Sequence, residues 1–144
     1  MLNYHQFLTE AVDQKSALAR LQALAKDADF SYGKGIDVNY IFQRPMDNPP
    51  GHEWSDIVNH RNHVGGVQLR NVPVDLLIPT QPGVTPKSVA HFIKINPNRW
   101  NDDKEDIVNI LLKDGKLYVA GGHHRVAAAL LMGYRTIPAE IIGL

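Results

Sequence analysis

The chemistry in this chain concentrates in one stretch, Tyr118-Val119-Ala120-Gly121-Gly122-His123-His124-Arg125-Val126-Ala127-Ala128-Ala129. An apolar strand pattern runs into two glycines and then directly into a helical pattern. Paired glycines let the backbone turn sharply and let a ligand approach closely. The first turn of the helix presents N–H groups with no intrahelical acceptor, at the positive end of the helix dipole, which together make an anion site. His123, His124 and Arg125 add donors and charge at that same turn. Cations are disfavoured at a helix N-terminus, so their placement there predicts a compensating anion. Gly-Gly before a helix also serves plain packing, and adjacent histidines also occur as surface residues. The chemistry expected of the turn is phosphate binding.

Processing a phosphate would use these residues in distinct roles. Gly121, Gly122 and the N–H groups after them would hold the phosphate, and Arg125 would neutralise charge growing on the transferred group. His123 or His124 would serve as general acid or base, because an imidazole titrates near neutral pH. Thr85-Pro86-Lys87-Ser88 opens a second helix, with Thr85 as N-cap and Pro86 at the first helical position. Phosphoryl chemistry usually also enlists a divalent metal, here Mg²⁺ with a nucleotide. Asp102, Asp103, Glu105 and Asp106 are the acidic candidates, in a run that also reads as a solvated loop. His52, His60 and His63, with Glu53 and Asp56, form a weaker cluster, in which His60 and His63 could share a helical face at metal-ligand spacing.

The segment Val119-Ala120-Gly121-Gly122-His123-His124-Arg125-Val126-Ala127-Ala128 resembles the signature of the ParB/sulfiredoxin superfamily. Val72-Pro73-Val74-Asp75-Leu76-Leu77-Ile78-Pro79 resembles its upstream box, and Gly133-Tyr134-Arg135-Thr136-Ile137-Pro138-Ala139 its closing strand. The likeness covers residues 67–144 in the right order. It implies an α+β fold with a small mixed sheet and packed helices, and a nucleotide or nucleic-acid phosphate over the Gly-Gly-His-His-Arg turn. It also implies that Lys87 and Ser88 begin a second phosphate-contacting element.

Departures from the family narrow the branch. Sulfiredoxins place a catalytic cysteine directly after the paired glycines, where this chain has His123, and the sequence holds no cysteine, so sulfinic-acid repair is excluded. Partition ParB proteins carry Gly-Glu-Arg-Arg at the loop and continue into a helix-turn-helix domain. Gly122 stands at the glutamate position, histidines replace the arginine pair, and the sequence reaches only Leu144, so a centromere-binding CTP clamp is not expected. The Gly-His-His-Arg version is similar to stand-alone ParB-like proteins, often labelled nucleases. Some superfamily enzymes have an aspartate where this chain has Gly121. The resemblance thus implies a nuclease or nucleotide hydrolase, or else a non-catalytic module that binds nucleotide or DNA through the same pocket.

The elements around the loop follow from patterning. Apolar residues at three- and four-residue steps predict a helix over residues 3–28. Residues 29–66, punctuated by Pro45, Pro49, Pro50 and Gly65-Gly66, read as irregular. Residues 67–70 and 72–79 read as two extended segments, residues 85–94 as a helix, and residues 96–106 as a polar loop. Asp114-Gly115 predicts a hairpin between strands at 107–112 and 116–120. A helix over 123–132 stops at Gly133, and a last strand spans 134–142. Residues 1–66 form an N-terminal helix and irregular extension, part of the same compact unit as the 67–144 domain.

Composition sets the outer limits. The 144 residues suit one domain, and 44% hydrophobic with 21% charged residues is ordinary for a folded soluble chain. Fifteen Lys and Arg balance fifteen Asp and Glu, which argues against nonspecific coating of nucleic acid, so any phosphate must be held locally. No apolar run reaches the ~18 residues of a membrane span, and Met1-Leu2-Asn3-Tyr4-His5-Gln6 lacks the features of a secretory signal. A cytoplasmic location in a bacterial or phage-infected cell is expected. Phe7-Leu8-Thr9-Glu10-Ala11 also resembles the capsid-targeting segments of tailed-phage internal head proteins, which are cut after Leu-x-Glu. That likeness implies packaging in a virion as an alternative.

Overall fold

The computed structural model describes residues 13–27, 35–49, 67–95 and 108–143. Asp13 starts the first helix: its Oδ1 accepts the Ser16 N–H at 2.7 Å, satisfying a first-turn donor. Helix α1 (Gln14–Asp27) follows, within the helix expected over residues 3–28, whose part before residue 13 lies outside the described residues. The Leu8-Thr9-Glu10 pattern lies outside the described residues. Next come β1 (Ile36–Asp37) and α2 (Asn39–Phe42), and then β2 (Val67–Pro73). A 3-10 turn (Val74–Leu76) leads to β3 (Leu77–Ile78), β4 (Gly83–Val84) and α3 (Pro86–Lys94). The hairpin β5 (Asn109–Lys113) and β6 (Lys116–Gly121), helix α4 (His123–Met132) and β7 (Thr136–Gly143) complete the chain.

Five strands form one mixed sheet in the order β2-β7-β5-β6-β3, and β1 pairs with β4 in a separate two-stranded ribbon. The fold is α+β. Asp114 and Gly115 hold φ of 53° and 75°, the left-handed pair that a two-residue hairpin turn requires. The extended segment expected from residue 72 is corrected: β2 continues without a break to Pro73, pairing with β7 from Val67↔Ile142 to Pro73↔Thr136. Pro73 has no N–H to prolong the ladder, and the chain turns there while the Val74 N–H bonds the Arg135 carbonyl at 3.0 Å. Pro138 is tolerated within β7 because pairing with β5 begins only at Glu140.

Alternation along the strands separates two apolar faces. Ile110, Val119, Ile137 and Ala139 meet Val89 and Ile93 of α3 and Val126, Ala127 and Ala129 of α4 in the main core. Leu111, Tyr118 and Ile142 occupy the opposite face, and all three are buried. Eight of the ten α4 residues are buried, so α4 is the central helix, flanked by α1, α2 and α3. The Ala127-Ala128-Ala129 run, fully buried, lets its neighbours approach closely. Helix α1 is tied on by Arg20, which donates to the Leu131 carbonyl at 3.0 Å, and by Gln14, which donates to the Lys94 carbonyl at 3.2 Å.

Candidate functional site

The turn from β6 into α4 is built around Gly122. Its φ is 94°, a left-handed value that L side chains rarely adopt, and a Cβ there would lie 2.9 Å from Val108 Cγ2. Both constraints demand glycine. Gly121 differs: its φ is ordinary, and a Cβ would meet only the Asn109 side chain, at 3.4 Å. Gly122 is the N-cap of α4 and no side chain caps the helix. Its carbonyl accepts from Val126 at 3.0 Å, the first helical bond, so the first-turn N–H groups before Val126 have no intrahelical acceptor.

The parallel register of β3 and β6, Leu77↔Leu117 and Ile78↔Tyr118, brings the exits of both strands to the same edge. Thr80, two residues past β3, therefore lies against the end of β6, where its hydroxyl donates to the Val119 carbonyl at 2.6 Å. The Thr80 N–H donates to His123 Nε2 at 3.0 Å, and the Thr80 hydroxyl lies 3.4 Å from the same nitrogen. Five residues on, the Thr85 N–H donates to His124 Nε2 at 3.1 Å. Consecutive imidazoles on α4 thus accept backbone N–H groups from the two ends of one short segment. Thr85 is the N-cap position of α3, as expected, but its hydroxyl makes no cap bond.

A nitrogen that accepts an N–H carries no proton, so each neutral ring holds its proton on Nδ1. The His123 ring is 5% exposed and packs 6.2 Å from the Phe42 ring. Burial, with a smaller repulsion from His124, pushes its pKa down from 6.5 to about 4. Burial lowers the pKa of His124 as well. Both imidazoles are therefore uncharged at neutral pH. The dipole penalty expected for histidine cations at this turn does not arise. Arg125 is the cation of the turn. It is 4% exposed, and its guanidinium carbon lies 4.7 Å from the centre of the Phe92 ring on α3, a cation–π contact.

Lys87 and Ser88 fall in the first turn of α3, two and three residues past the Thr85 that His124 holds, with Lys87 exposed and Ser88 half-buried. The Thr85–His124 hydrogen bond joins the start of α3 to the start of α4, so the site residues expected from both helices belong to one region. Thr80, Phe92 and Val108 are contributors that sequence reasoning missed. They reach the turn through strand register and helix packing, and no local motif signals them. Among the described residues, no three His, Asp or Glu side chains converge as a metal site. The acidic run at 102–106 and the histidines at 52, 60 and 63 lie outside the described residues. Among the described residues, no helix is long and apolar enough to cross a membrane. Compared with protein-family models and with curated proteins, the chain matches none.

Proposed function

We propose that this chain binds a phosphate-bearing ligand, a nucleotide or a nucleic-acid phosphate, at the turn where β6 enters α4. The observation that carries this reading is Gly122. Its left-handed backbone, set against Val108, turns β6 sharply into a first turn of α4 that no side chain caps. Oriented N–H groups at such a turn suit a phosphate. Lys87 and Ser88 in the first turn of α3, and the Nδ1–H of half-buried His124, are the side-chain donors this reading assigns to the ligand. The resemblance of residues 67–144 to the ParB/sulfiredoxin superfamily points the same way.

Such a site could either turn over its phosphate ester or only hold it. A general base needs a lone pair, and the Nε2 lone pairs of His123 and His124 are both committed to backbone N–H groups. That commitment favours binding over turnover. In a hydrolytic reading, Arg125 would stabilise developing charge from its place against Phe92. Mg²⁺, supplied with the nucleotide, would complete the charge balance.

Thermal unfolding with ATP, ADP, CTP, GTP and short DNA, each with and without Mg²⁺, tests the proposal. A ligand at a hundredfold excess over its Kd stabilises by about 2.7 kcal/mol, a shift of several degrees. The shift is expected to shrink in Lys87→Ala. Absence of a shift with every ligand refutes the reading. Release of phosphate or cleavage of DNA that is lost in both His123→Gln and His124→Gln would restore the catalytic assignment.

A further inference from the structure

The geometry points to His123 and His124 as positioning residues: their Nε2 lone pairs clasp the 80–85 segment and hold the start of α3 beside the start of α4, so that one polyphosphate can engage both helices. This inference rests on the phosphate reading for its ligand and on the hydrogen bonds alone for the clasp.

The segment between the two clasped residues is short and otherwise anchored on its far side. Gly83 and Val84 pair with Asp37 and Ile36, the Pro82 carbonyl accepts from Val38 at 3.0 Å, and the Pro79 carbonyl accepts from Asp47 at 2.9 Å. Those bonds tie the segment to β1, to Val38 before α2 and to the chain after α2. On the α4 side the two imidazoles supply polar links, with Thr80 also bound to β6 through its hydroxyl. Without them, Thr85 and the Lys87-Ser88 turn that follows it would be set against α4 only through the packing of α3, its Phe92–Arg125 contact included. The Thr80 N–H is part-buried and must find an acceptor. An imidazole supplies one here with only two side-chain torsions to fix, and it cannot do so once protonated.

The role requires an acceptor atom at the Nε2 position and no charge, which distinguishes it from direct phosphate binding by a histidine cation. Glutamine places an amide oxygen near that position; leucine fills the volume and accepts nothing. His124, half-buried, is the position to vary, because a leucine there leaves the core undisturbed.

The test has one part that needs no ligand and one that does. With ¹⁵N-labelled histidine at pH 7.5, both rings are expected as the Nδ1–H tautomer with Nε2 unprotonated. In His124→Leu, exchange of the Thr85 amide should speed up by about tenfold, as loss of a hydrogen bond of ordinary strength implies. In His124→Gln it should stay within about threefold of the wild-type protein. Binding of tripolyphosphate should follow the same order, weakened by about tenfold in the leucine variant and largely retained in the glutamine variant. An Nε2–H tautomer, or Thr85 exchange unchanged in His124→Leu, overturns the clasp. A leucine variant that binds tripolyphosphate as tightly as the wild type overturns the positioning role. Failure of the wild-type protein to bind tripolyphosphate removes the polyphosphate half of the proposal, while tautomer and exchange still decide the clasp.

Discussion

Acidifying the protein from pH 7.5 to pH 5 tests the buried imidazole of His123. The folded state resists protonating this ring, whose pKa is about 4, because burial and the neighbouring imidazole disfavour the charge. The unfolded chain protonates it near 6.5. Between those two values the unfolded state binds a proton that the folded state refuses, so stability falls as pH falls. The full contribution is present above pH 6.5 and is lost on the way down through pH 4. Each unit of difference corresponds to about 1.4 kcal/mol, so His123 alone accounts for about 3 kcal/mol across the window and about 2 kcal/mol by pH 5. His124, also lowered by burial, acts in the same direction. Asp13, held below its ordinary 3.8 by the Ser16 hydrogen bond, loses its contribution only under more acidic conditions and does not overlap. Urea unfolding at the two pH values would read the effect as a fall of about 1 M in midpoint, given a slope of about 2 kcal/mol/M. His123→Gln keeps an acceptor for the Thr80 N–H but cannot titrate, so its midpoint should move much less. Equal pH dependence in the two proteins, or a His123 imidazole that titrates above pH 6, would refute the reasoning.

Further outcomes follow from the same geometry. Gly122→Ala should destabilise by about 2–4 kcal/mol, seen as a lower Tm, because it combines a left-handed φ with a methyl 2.9 Å from Val108. Gly121→Ala should unfold close to the wild type, since its methyl makes only ordinary contact with Asn109, yet it should weaken phosphate binding by crowding the turn. Gly115→Ala, at φ 75° in the hairpin far along β6 from the site, should cost about 1 kcal/mol of stability and leave ligand affinity unchanged. Arg20→Ala removes a donor to the last turn of α4 and should cost about 1 kcal/mol, with binding intact by titration calorimetry.

Several features were legible locally because their causes are local. Asp114-Gly115 specifies a hairpin through the backbone angles those residues tolerate, and the structure has them at 53° and 75°. Helix α4 occupies the 123–132 span read from its pattern and ends at Gly133, whose N–H bonds the Leu130 carbonyl at 3.2 Å. Thr85-Pro86 marked the start of α3 for the same reason. The break between β2 and β3 was less legible. The strand carries on to Pro73 because β7 offers a continuous partner, and partnership across a sheet leaves no trace in a short window of sequence.

Sequence alone determined that glycines precede a helix at residues 121–122, that two histidines and an arginine follow, and that no cysteine serves them. Tertiary structure decided what each one does. Two adjacent glycines look equivalent as letters, but Val108 lies against one and not the other, so only Gly122 is demanded by the fold. Two histidines at a helix N-terminus look like charge, but burial makes them neutral, and the parallel pairing of β3 with β6 delivers the Thr80 N–H to the first of them. An ionisable side chain takes its protonation state and its hydrogen-bonding role from what packs around it, and the N–H groups that these two rings accept come from 43 and 39 positions away in the chain.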